Sequence, residues 1–562
     1  MTTPRPHWIF GDQLGPHFLD PRHGGPDRSA PVLMIEARSV LRRRRFHRAK
    51  AHLVLSAMRH RAAELGDRVT YVRAETYTEG LEQILGRPAR GRGRGGQDTD
   101  EARRQHGHDH GHGHGDRLTV GHPTSRRARD FVAALDGVEV LPARGFLVTQ
   151  DDFAAWAAGT GPGDRGNKGN KGNKGNEEDE GNEGNEGRGK GEGQSLRLEG
   201  FYRWVRGRHD LLMDGEEPAG GRWNLDHDNR EPPPRGAESL DVRAPWQPKE
   251  DAIDEEVRRD LDRWERDGVV SFVGRDGPRR FPATRREALA ALRHFIAHRL
   301  PGFGRYEDAM LAGDPVMSHS LLSAPLNLGL LDPAECVERA ERAYRSGDAP
   351  LNSVEGFVRQ IAGWREYVWH LYWHFGEDYR HRNALRHTAP LPDWFLELDA
   401  DAVTANCLST VLAQVRDTGW THHIPRLMVL GSRALQDGWD PAAVTDWFHR
   451  CFVDGYDWVM LPNVVGMSQY ADGGLMTTKP YTSGGAYIHR MSDLCGPCAY
   501  RPSDRTGDHA CPYTAGYWAF LHRHRTRLAA NHRTARAVKG LDRLKDLPEL
   551  LEATERRGAA PP

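Results

Sequence analysis

Cys495 and Cys498 flank Gly496-Pro497, and Cys511, followed by Pro512, lies thirteen positions further on. Three soft ligands in so short a loop, with Cys407 or Cys451 as a fourth, suit either a zinc ion or an iron-sulfur cluster, and spacing alone does not choose between them. Cys336 falls on a helical pattern after Asp332-Pro333 and reads as a buried free thiol. Six cysteines in 562 residues are too few for a disulfide scaffold, so clustered thiols in a reducing compartment point to metal. The alternating His106, His108, His110, His112 and His114 could chelate a divalent ion loosely, but this polar, Gly-rich run reads as a solvated loop. Gly91, Gly93 and Gly96 match the dinucleotide fingerprint by accident, since no strand precedes them and no helical pattern follows.

The elements that must position such residues fall into two groups. Apolar runs at 7–10, 32–36, 69–72 and 138–141 alternate with helical patterns, including a crossover helix from Ala49 to Leu65, which is the rhythm of a parallel, Rossmann-like α/β sheet. This predicts an α/β domain over 1–150. From about Leu196 the patterns become helical, at Arg285 to Arg299, Ala334 to Tyr344, Val354 to His374 and Pro441 to Val453. Asp332-Pro333 and Asp440-Pro441 supply N-caps and first-turn prolines, so an all-α domain is expected over 201–550, with a flexible tail at 551–562. Two stretches, 86–130 and 158–196, hardly resemble folded protein. The second repeats Gly-Asn-Lys and Gly-Asn-Glu within a 151–200 linker and is too polar to offset its ordering entropy by burial.

Composition narrows the partners. With 15 Trp, 15 Tyr and 17 Phe the chain is neither fibrous nor disordered, and a packed, ligand-bearing protein is expected. Its 78 Lys+Arg nearly cancel 79 Asp+Glu, so any affinity for nucleic acid must come from a local basic face. No apolar run approaches the roughly 18 residues of a membrane span, and Asp12 falls where a signal peptide needs an apolar stretch. A cytoplasmic, monomeric protein without a membrane partner is expected.

Three ordered motifs then carry a family resemblance. Ser318-His319-Ser320-Leu321-Leu322-Ser323, running on to Leu328-Gly329 and Asp332-Pro333, resembles the flavin-phosphate segment of photolyases and cryptochromes. Trp364-Arg365-Glu366-Tyr367 resembles a helix motif of that superfamily, and Asp454-Gly455-Tyr456-Asp457 through Asn463 its flavin-ring segment. The run from Asp457 to Leu475, Thr478-Lys479-Pro480-Tyr481 and the spacing of Cys407, Cys495, Cys498 and Cys511 are most similar to the bacterial iron-sulfur branch that repairs (6-4) photoproducts. The likeness also covers Gly11-Asp12-Gln13-Leu14 and Phe201 to Asn229.

The resemblance implies FAD in the helical domain, held by Ser320, Leu321, Leu322, Ser323, Trp364, Arg426, Asp454, Asp457 and Asn463. Arg426 and Asp457 resemble the ion pair beside the flavin ring, and Asn463 the residue facing its redox-active nitrogen. It implies a 4Fe-4S cluster on Cys407, Cys495, Cys498 and Cys511, which settles zinc against iron-sulfur. It implies a ribityl lumazine antenna in the sheet domain, near Asp12, Gln13 and Glu36, with magnesium as a further possible ion. The expected partner is UV-damaged DNA. Cyclobutane-type photolyases carry an amide where this chain has His423. A (6-4) lesion must also move a hydroxyl between bases, which needs a proton donor, and imidazole ordinarily titrates nearest working pH. His423 is therefore read as the general acid, His422 as its support and Tyr481 as the residue stacking on the extruded lesion. Trp447 and Tyr487 fall where the branch places electron carriers, but Asp399 replaces its usual tryptophan. Trp364, Trp369 and Trp373 could offer another route, although packing suffices to explain them. The alternative to a repair lyase is a cryptochrome-type blue-light photoreceptor on the same scaffold.

Overall fold

Five short apolar segments pair in parallel: β1 (His7–Trp8), β2 (Val32–Ala37), β3 (Val69–Ala74), β4 (Leu118–Gly121) and β5 (Val138–Leu141), in the order β3-β2-β1-β4-β5. The computed structural model describes residues 4–86, 118–160 and 196–562. The match at Gly91, Gly93 and Gly96, the alternating histidines at 106–114 and the Gly-Asn repeat lie outside the described residues. Trp8 sits against Leu33 on one side and Val120 on the other, and both valine and tryptophan are fully buried. β2 is buried along its whole length, as a strand covered on both faces must be.

β4 corrects the reading of 86–130 as unfolded, and so does the helix Arg126–Ala133 that follows it. A four-residue strand behind a long polar run is too short for alternation to register, yet it joins β1 to β5. Strand order reverses between β1 and β4, which opens a crevice at their C-terminal ends, where Asp12 and Gln13 lie.

The remainder is helical, apart from a two-stranded pairing at Met213–Asp214 and Glu217–Pro218. Asp332 and Asp440 cap Pro333–Arg345 and Pro441–Cys451 by accepting from Ala334 N–H and Ala443 N–H. The tail at 551–562, expected to be flexible, is instead docked. Leu547–Arg557 is a helix with Leu550 fully buried, and the Pro562 carbonyl accepts from Ala405 N–H at 2.8 Å. Among the described residues no helix is long and apolar enough to cross a membrane.

The sheet domain is fastened to the helical body by backbone-directed polar contacts. Helix α1 (Arg48–Leu65) crosses from β2 to β3, and its Lys50 Nζ donates to the carbonyls of His449, at 2.7 Å, and Gly455. In the other direction Glu366 accepts from Leu147 N–H and Val148 N–H at 2.9 and 3.2 Å. Helix α2 (Ala252–Arg266) packs on α1, and there the buried Arg59 binds Glu36 through two hydrogen bonds of 3.0 and 2.8 Å and reaches Asp260 at 2.7 Å. Removing one partner of a buried ion network strands the others without counter-charge. Arg59→Met is therefore expected to cost about 3–5 kcal/mol, read as a lower urea midpoint, and adding Glu36→Gln is expected to recover part of that loss.

Candidate functional site

The segments singled out by sequence converge on Arg426. Its guanidinium binds Asp454 through two hydrogen bonds of 2.9 and 3.0 Å, donates to the Thr421 carbonyl at 2.7 Å and lies 4.2 Å from the centroid of the Phe452 ring. Ser323 donates to Asp454 at 2.7 Å, and Asn327 donates to the Asp454 carbonyl at 3.0 Å, so the segment at 318–323 is tied to the segment at 454–463. Ser320 Oγ accepts from Leu322 N–H at 3.3 Å. Met317 and Leu321, at φ 46° and 57°, hold the left-handed conformation that non-glycine residues rarely adopt, and such strain collects at functional sites.

Arg426 thus pairs with Asp454, which corrects the expected pairing with Asp457. Gly455 explains the difference. A Cβ there would sit 2.6, 2.9 and 3.0 Å from the carbonyls of Phe448, His449 and Phe452, so only glycine lets the chain turn between the two carboxylates. Asp457 opens the helix Asp457–Leu461 and bonds to Tyr372 at 2.8 Å and to Arg380. Burial opposes its charge, but His449, Arg380 and Tyr372 together hold its carboxyl well below the usual range.

Trp364, Arg426 and Asn463 each lie on a separate π-helical turn, at Arg359–Arg365, Pro425–Gly431 and Pro462–Ser468. The wider turn re-aims side chains that a regular helix would carry elsewhere, and π turns are frequent at functional sites. Asn463 donates to the Val459 carbonyl at 2.9 Å. Nothing in residue periodicity marked these turns.

Beside Arg426 stand three imidazoles whose ligand-type nitrogens lie within 4.8 Å of one another: His319, His422 and His423. The His319 and His422 rings stack at 4.3 Å, with His423 edge-on to His319 at 5.5 Å. Burial, then the neighbouring histidines and Arg426, pushes His422 far below ordinary imidazole. His423 is 44% exposed and pairs with Asp308 at 3.3 Å. Loss of water opposes its charge, yet the Asp308 carboxylate, with Glu307 and Asp226 behind it, raises its pKa. Glu307, pushed up to about 7 by burial, accepts from Gln360 at 2.8 Å and from Asn229 at 3.3 Å. Asp226 bonds to Arg359 at 2.7 Å. Glu307 and Asp308 escaped sequence reasoning, although Tyr306-Glu307-Asp308 places two carboxylates beside an aromatic ring, and His319, named within its motif, was given no role of its own. Tyr481 is half-buried in the loop that follows Asp472.

Cys407, Cys495, Cys498 and Cys511 line one cavity with Ile488, Leu494, Tyr500 and Tyr513. Cys407 enters on the helix Asn406–Thr418, Cys495 and Cys498 on the loop after Gly485–Met491, and Cys511 directly before Pro512–Arg523. Asn406 clamps the arrangement by donating to the Leu494 carbonyl at 2.8 Å. Burial first, then Cys511, Cys495 and Cys498, pushes the Cys407 thiol up, so charged sulfurs here need cations among them. Cys336 and Cys451 are buried elsewhere in helices.

The remaining expected residues divide. Asp12 accepts from Thr124, while its Oδ1 is buried without a partner and burial raises its pKa. Gln13 is occupied by Phe10 N–H at 3.2 Å and the His122 carbonyl at 3.0 Å, and Glu36 by Arg59 and Tyr71. Neither is poised toward a ligand, because both polar ends are consumed in holding the sheet. Trp447 is buried and stacks on Phe395 at 4.2 Å, whereas Tyr487 lies under Arg490 with no ring contact to Trp447 among the described residues. Asp399 caps the turn Ala400–Ala402. Trp369 and Trp373 form an edge-on pair at 5.5 Å.

A five-stranded parallel sheet beside a large helical body is the fold of the photolyase and cryptochrome class. The solved structure of a bacterial class III photolyase from Agrobacterium tumefaciens superposes with a TM-score of 0.51 at 16% identity, covering 100% of this chain and 97% of its own. The family model for deoxyribodipyrimidine photo-lyase-related protein matches residues 7–92 and 186–269. The (6-4) photolyase of Agrobacterium fabrum (strain C58 / ATCC 33970) is 37% identical over 539 residues, spanning 94% of this chain and 93% of that relative. The chain belongs to the photolyase/cryptochrome superfamily, in its bacterial (6-4) photolyase-related branch.

The charged form of His423 is favoured throughout the range below its ordinary pKa and is lost only as pH rises through the raised value. Asp308→Asn removes the nearest cause of that shift. Its imidazole is then expected to titrate at lower pH in an NMR titration of the folded protein, while His422 stays neutral.

Proposed function

We propose that this protein is a light-dependent DNA lyase that reverses (6-4) pyrimidine-pyrimidone photoproducts. The observation that carries the reading is a pair of adjacent histidines in unlike surroundings beside Arg426–Asp454: His422 is buried against His319 and pushed far below ordinary imidazole, while His423 pairs with Asp308, which raises its pKa. Environments that push two titratable groups apart assign acid and base.

The residues present fit FAD. His319 Nε2 and His422 Nδ1, on stacked rings beside Arg426, are buried polar atoms without a protein partner, and Ser318 Oγ is another in the segment that runs on to Ser320, Leu321, Leu322 and Ser323. Ser320 and the left-handed backbone at Leu321 suit the diphosphate, while Arg426, Asp454, Trp364 and Asn463 suit the ring system. When bound, the flavin supplies one electron under blue light and takes it back after the bond has broken. The protein does the rest. Arg426 and Asp454 fix a cationic group at the ring. Tyr481 stacks on the extruded lesion, which costs less to unpair than an intact base pair. His423 gives its proton to the hydroxyl that moves between the bases, with His422 as neutral support; water then returns a proton to the ring, favoured by the Asp308 carboxylate beside it.

The four thiols suit a 4Fe-4S cluster, which would tie Cys407 near the middle of the helical body to the C-terminal loop. For a ribityl lumazine the fit is partial. Asp12 Oδ1 and Trp8 Nε1 are unpartnered at the crevice, but Gln13 and Glu36 are already engaged.

His423→Ala is expected to keep its flavin absorption and to lose about 10²–10⁴-fold in the rate of (6-4) repair, the range contributed by a general acid. The assay is a defined (6-4) oligonucleotide with reduced protein, in blue light and in darkness. Repair in darkness, or at the wild-type rate by the variant, would refute the reading. Anaerobically purified protein is expected to hold about four iron atoms per chain. Substituting any of Cys407, Cys495, Cys498 or Cys511 is expected to destroy the cluster, with Cys336 and Cys451 dispensable, as measured by iron analysis.

A further inference from the structure

The chain carries a formal net charge of -1, yet its residues 522–545 hold eight Lys and Arg against one acidic residue, Asp542. Arg525 already pairs with that carboxylate at 2.7 Å. The stretch forms two short helices, α3 (Arg525–Ala529) and α4 (His532–Gly540), and α4 runs into the turn Leu541–Arg543. Thr534, Val538 and Leu541 are buried, the last two in a core shared with Tyr470 and Phe520. His532, Arg536, Lys539 and Arg543 recur at steps of four, three and four, which gathers them on the opposite face, and all four are exposed. Among the described residues none of Arg536, Lys539, Arg543 and Lys545 has a carboxylate partner.

This basic face adjoins the loop that carries Tyr481. Asn531, which opens α4, donates to the Thr478 carbonyl at 2.8 Å. Gln436 donates to Thr482 and to the Ser483 carbonyl, at 3.2 and 2.8 Å, while its own backbone carbonyl accepts from Arg523 at 3.0 Å. The loop is thus fixed on both sides of Tyr481 by contacts that also place α3 and α4. Arg527 of α3 donates to the Ala384 carbonyl, between the exposed Arg382 and Arg386, so the positive surface continues past α3. The one large hydrophobic exposed among the described residues is Val140, on β5, so α4 has nothing apolar to insert into a lipid surface. From His532 to Arg543 the basic row is roughly 17 Å long, a length over which duplex DNA presents about ten phosphates.

We propose that α4, with Arg382, Arg386 and Arg527, is a duplex clamp that holds the sugar-phosphate backbone of undamaged DNA beside the lesion. The proposal rests on the reading of Tyr481 as the residue that stacks on the extruded lesion, and adds to it a surface that touches no damaged base. The row on α4 holds no Asn, Gln, Asp or Glu to read adenine or cytosine, so its grip does not depend on sequence. It supplies locally an attraction that a chain without net positive charge cannot draw from its overall field.

The test is binding of intact and (6-4)-bearing duplex to the full chain in darkness, over a series of salt concentrations. Arg536→Gln, Lys539→Gln and Arg543→Gln combined are expected to weaken both duplexes by the same factor and to flatten the log-log salt slope by about 3, at roughly 0.9 per phosphate contact. The urea midpoint of this variant is expected to stay at the wild-type value, because the three side chains are exposed. Arg536→Lys with Arg543→Lys keeps the charge and is expected to keep the slope. Arg259→Gln, Arg263→Gln and Arg266→Gln combined remove as much charge from the exposed side of α2 and are expected to bind like the wild type. An unchanged slope in the α4 variant, an equal loss in the α2 variant, or a loss confined to the damaged duplex overturns the clamp and leaves the reading of Tyr481 intact. A slope that depends on α4 in a protein with no preference for the damaged duplex upholds the DNA surface and overturns that reading.

Discussion

The bidentate pair between Arg426 and Asp454 is the contact on which the other parts of the helical body depend. Both partners are largely buried, and a buried charge must find full compensation from its neighbours. Arg426 finds it in Asp454 and the Thr421 carbonyl, and Asp454 in Arg426 and Ser323. Each of those contacts comes from a different stretch of chain. Thr421 precedes the two histidines, Ser323 closes the strained segment at 317–323, and Asn327 holds the Asp454 backbone. The cost of leaving either charge unpaired therefore sets the relative position of three segments that are far apart in sequence. Lys50 extends the constraint to the sheet domain, because its ammonium, with a pKa pushed down to about 7 by burial, is held by the carbonyls that flank Asp454.

The histidine pocket follows from the same pair. Burial disfavours protonation of His422, and the neighbouring imidazoles and the Arg426 charge add to it. His423 faces outward instead, toward Asp308, Glu307 and Asp226, and there an excess of carboxylates wins over desolvation. Two adjacent residues with one side-chain chemistry are thus driven apart by what each faces, the His319 ring for His422 and the Asp308 carboxylate for His423. The π turn at Pro425–Gly431 carries Arg426 directly after the two histidines.

Much of this was legible in the sequence, for a physical reason. Residues that bear charge or sulfur are costly to bury, so those that stand in ordered motifs point to sites. The cluster of Cys495, Cys498 and Cys511 stood out that way, whereas Arg426, Asp454, Ser323 and the choice of Cys407 over Cys451 were named through the family resemblance; the helices were announced by Asp332-Pro333 and Asp440-Pro441. The parallel sheet was legible too, except at β4, whose four residues carry no detectable period. What failed was pairing. Sequence offers Asp454 and Asp457 equally, and only the turn at Gly455 decides which one faces Arg426. It offers Glu36 as a ligand at a strand end, and only the arrival of Arg59 from α1 shows the carboxylate to be consumed. Asp308 and Glu307 went unnoticed because a carboxylate gains its role from the imidazole opposite, 115 positions away.

The docked C-terminal segment has a similar logic. The Ala405 N–H precedes the helix that carries Cys407 and would be left without an intrahelical partner, as the first amides of any helix are. The Pro562 carbonyl satisfies it. Three residues earlier the Ala559 carbonyl satisfies the indole of Trp394. These two donors belong to the thiol cavity and to the indole of Trp394, which share one apolar core with Phe395, Trp439 and Tyr513. The helix Leu547–Arg557 reaches them by burying Leu550 beside Ala515 and Ala519 of Pro512–Arg523, the helix that Cys511 precedes. A segment rich in charge and small residues, which composition alone marks as loose, is thus ordered by two unpaired donors and one leucine. Order at 547–562 is a consequence of how the core around the thiols is closed, so disturbance of that core is transmitted to the C-terminal segment.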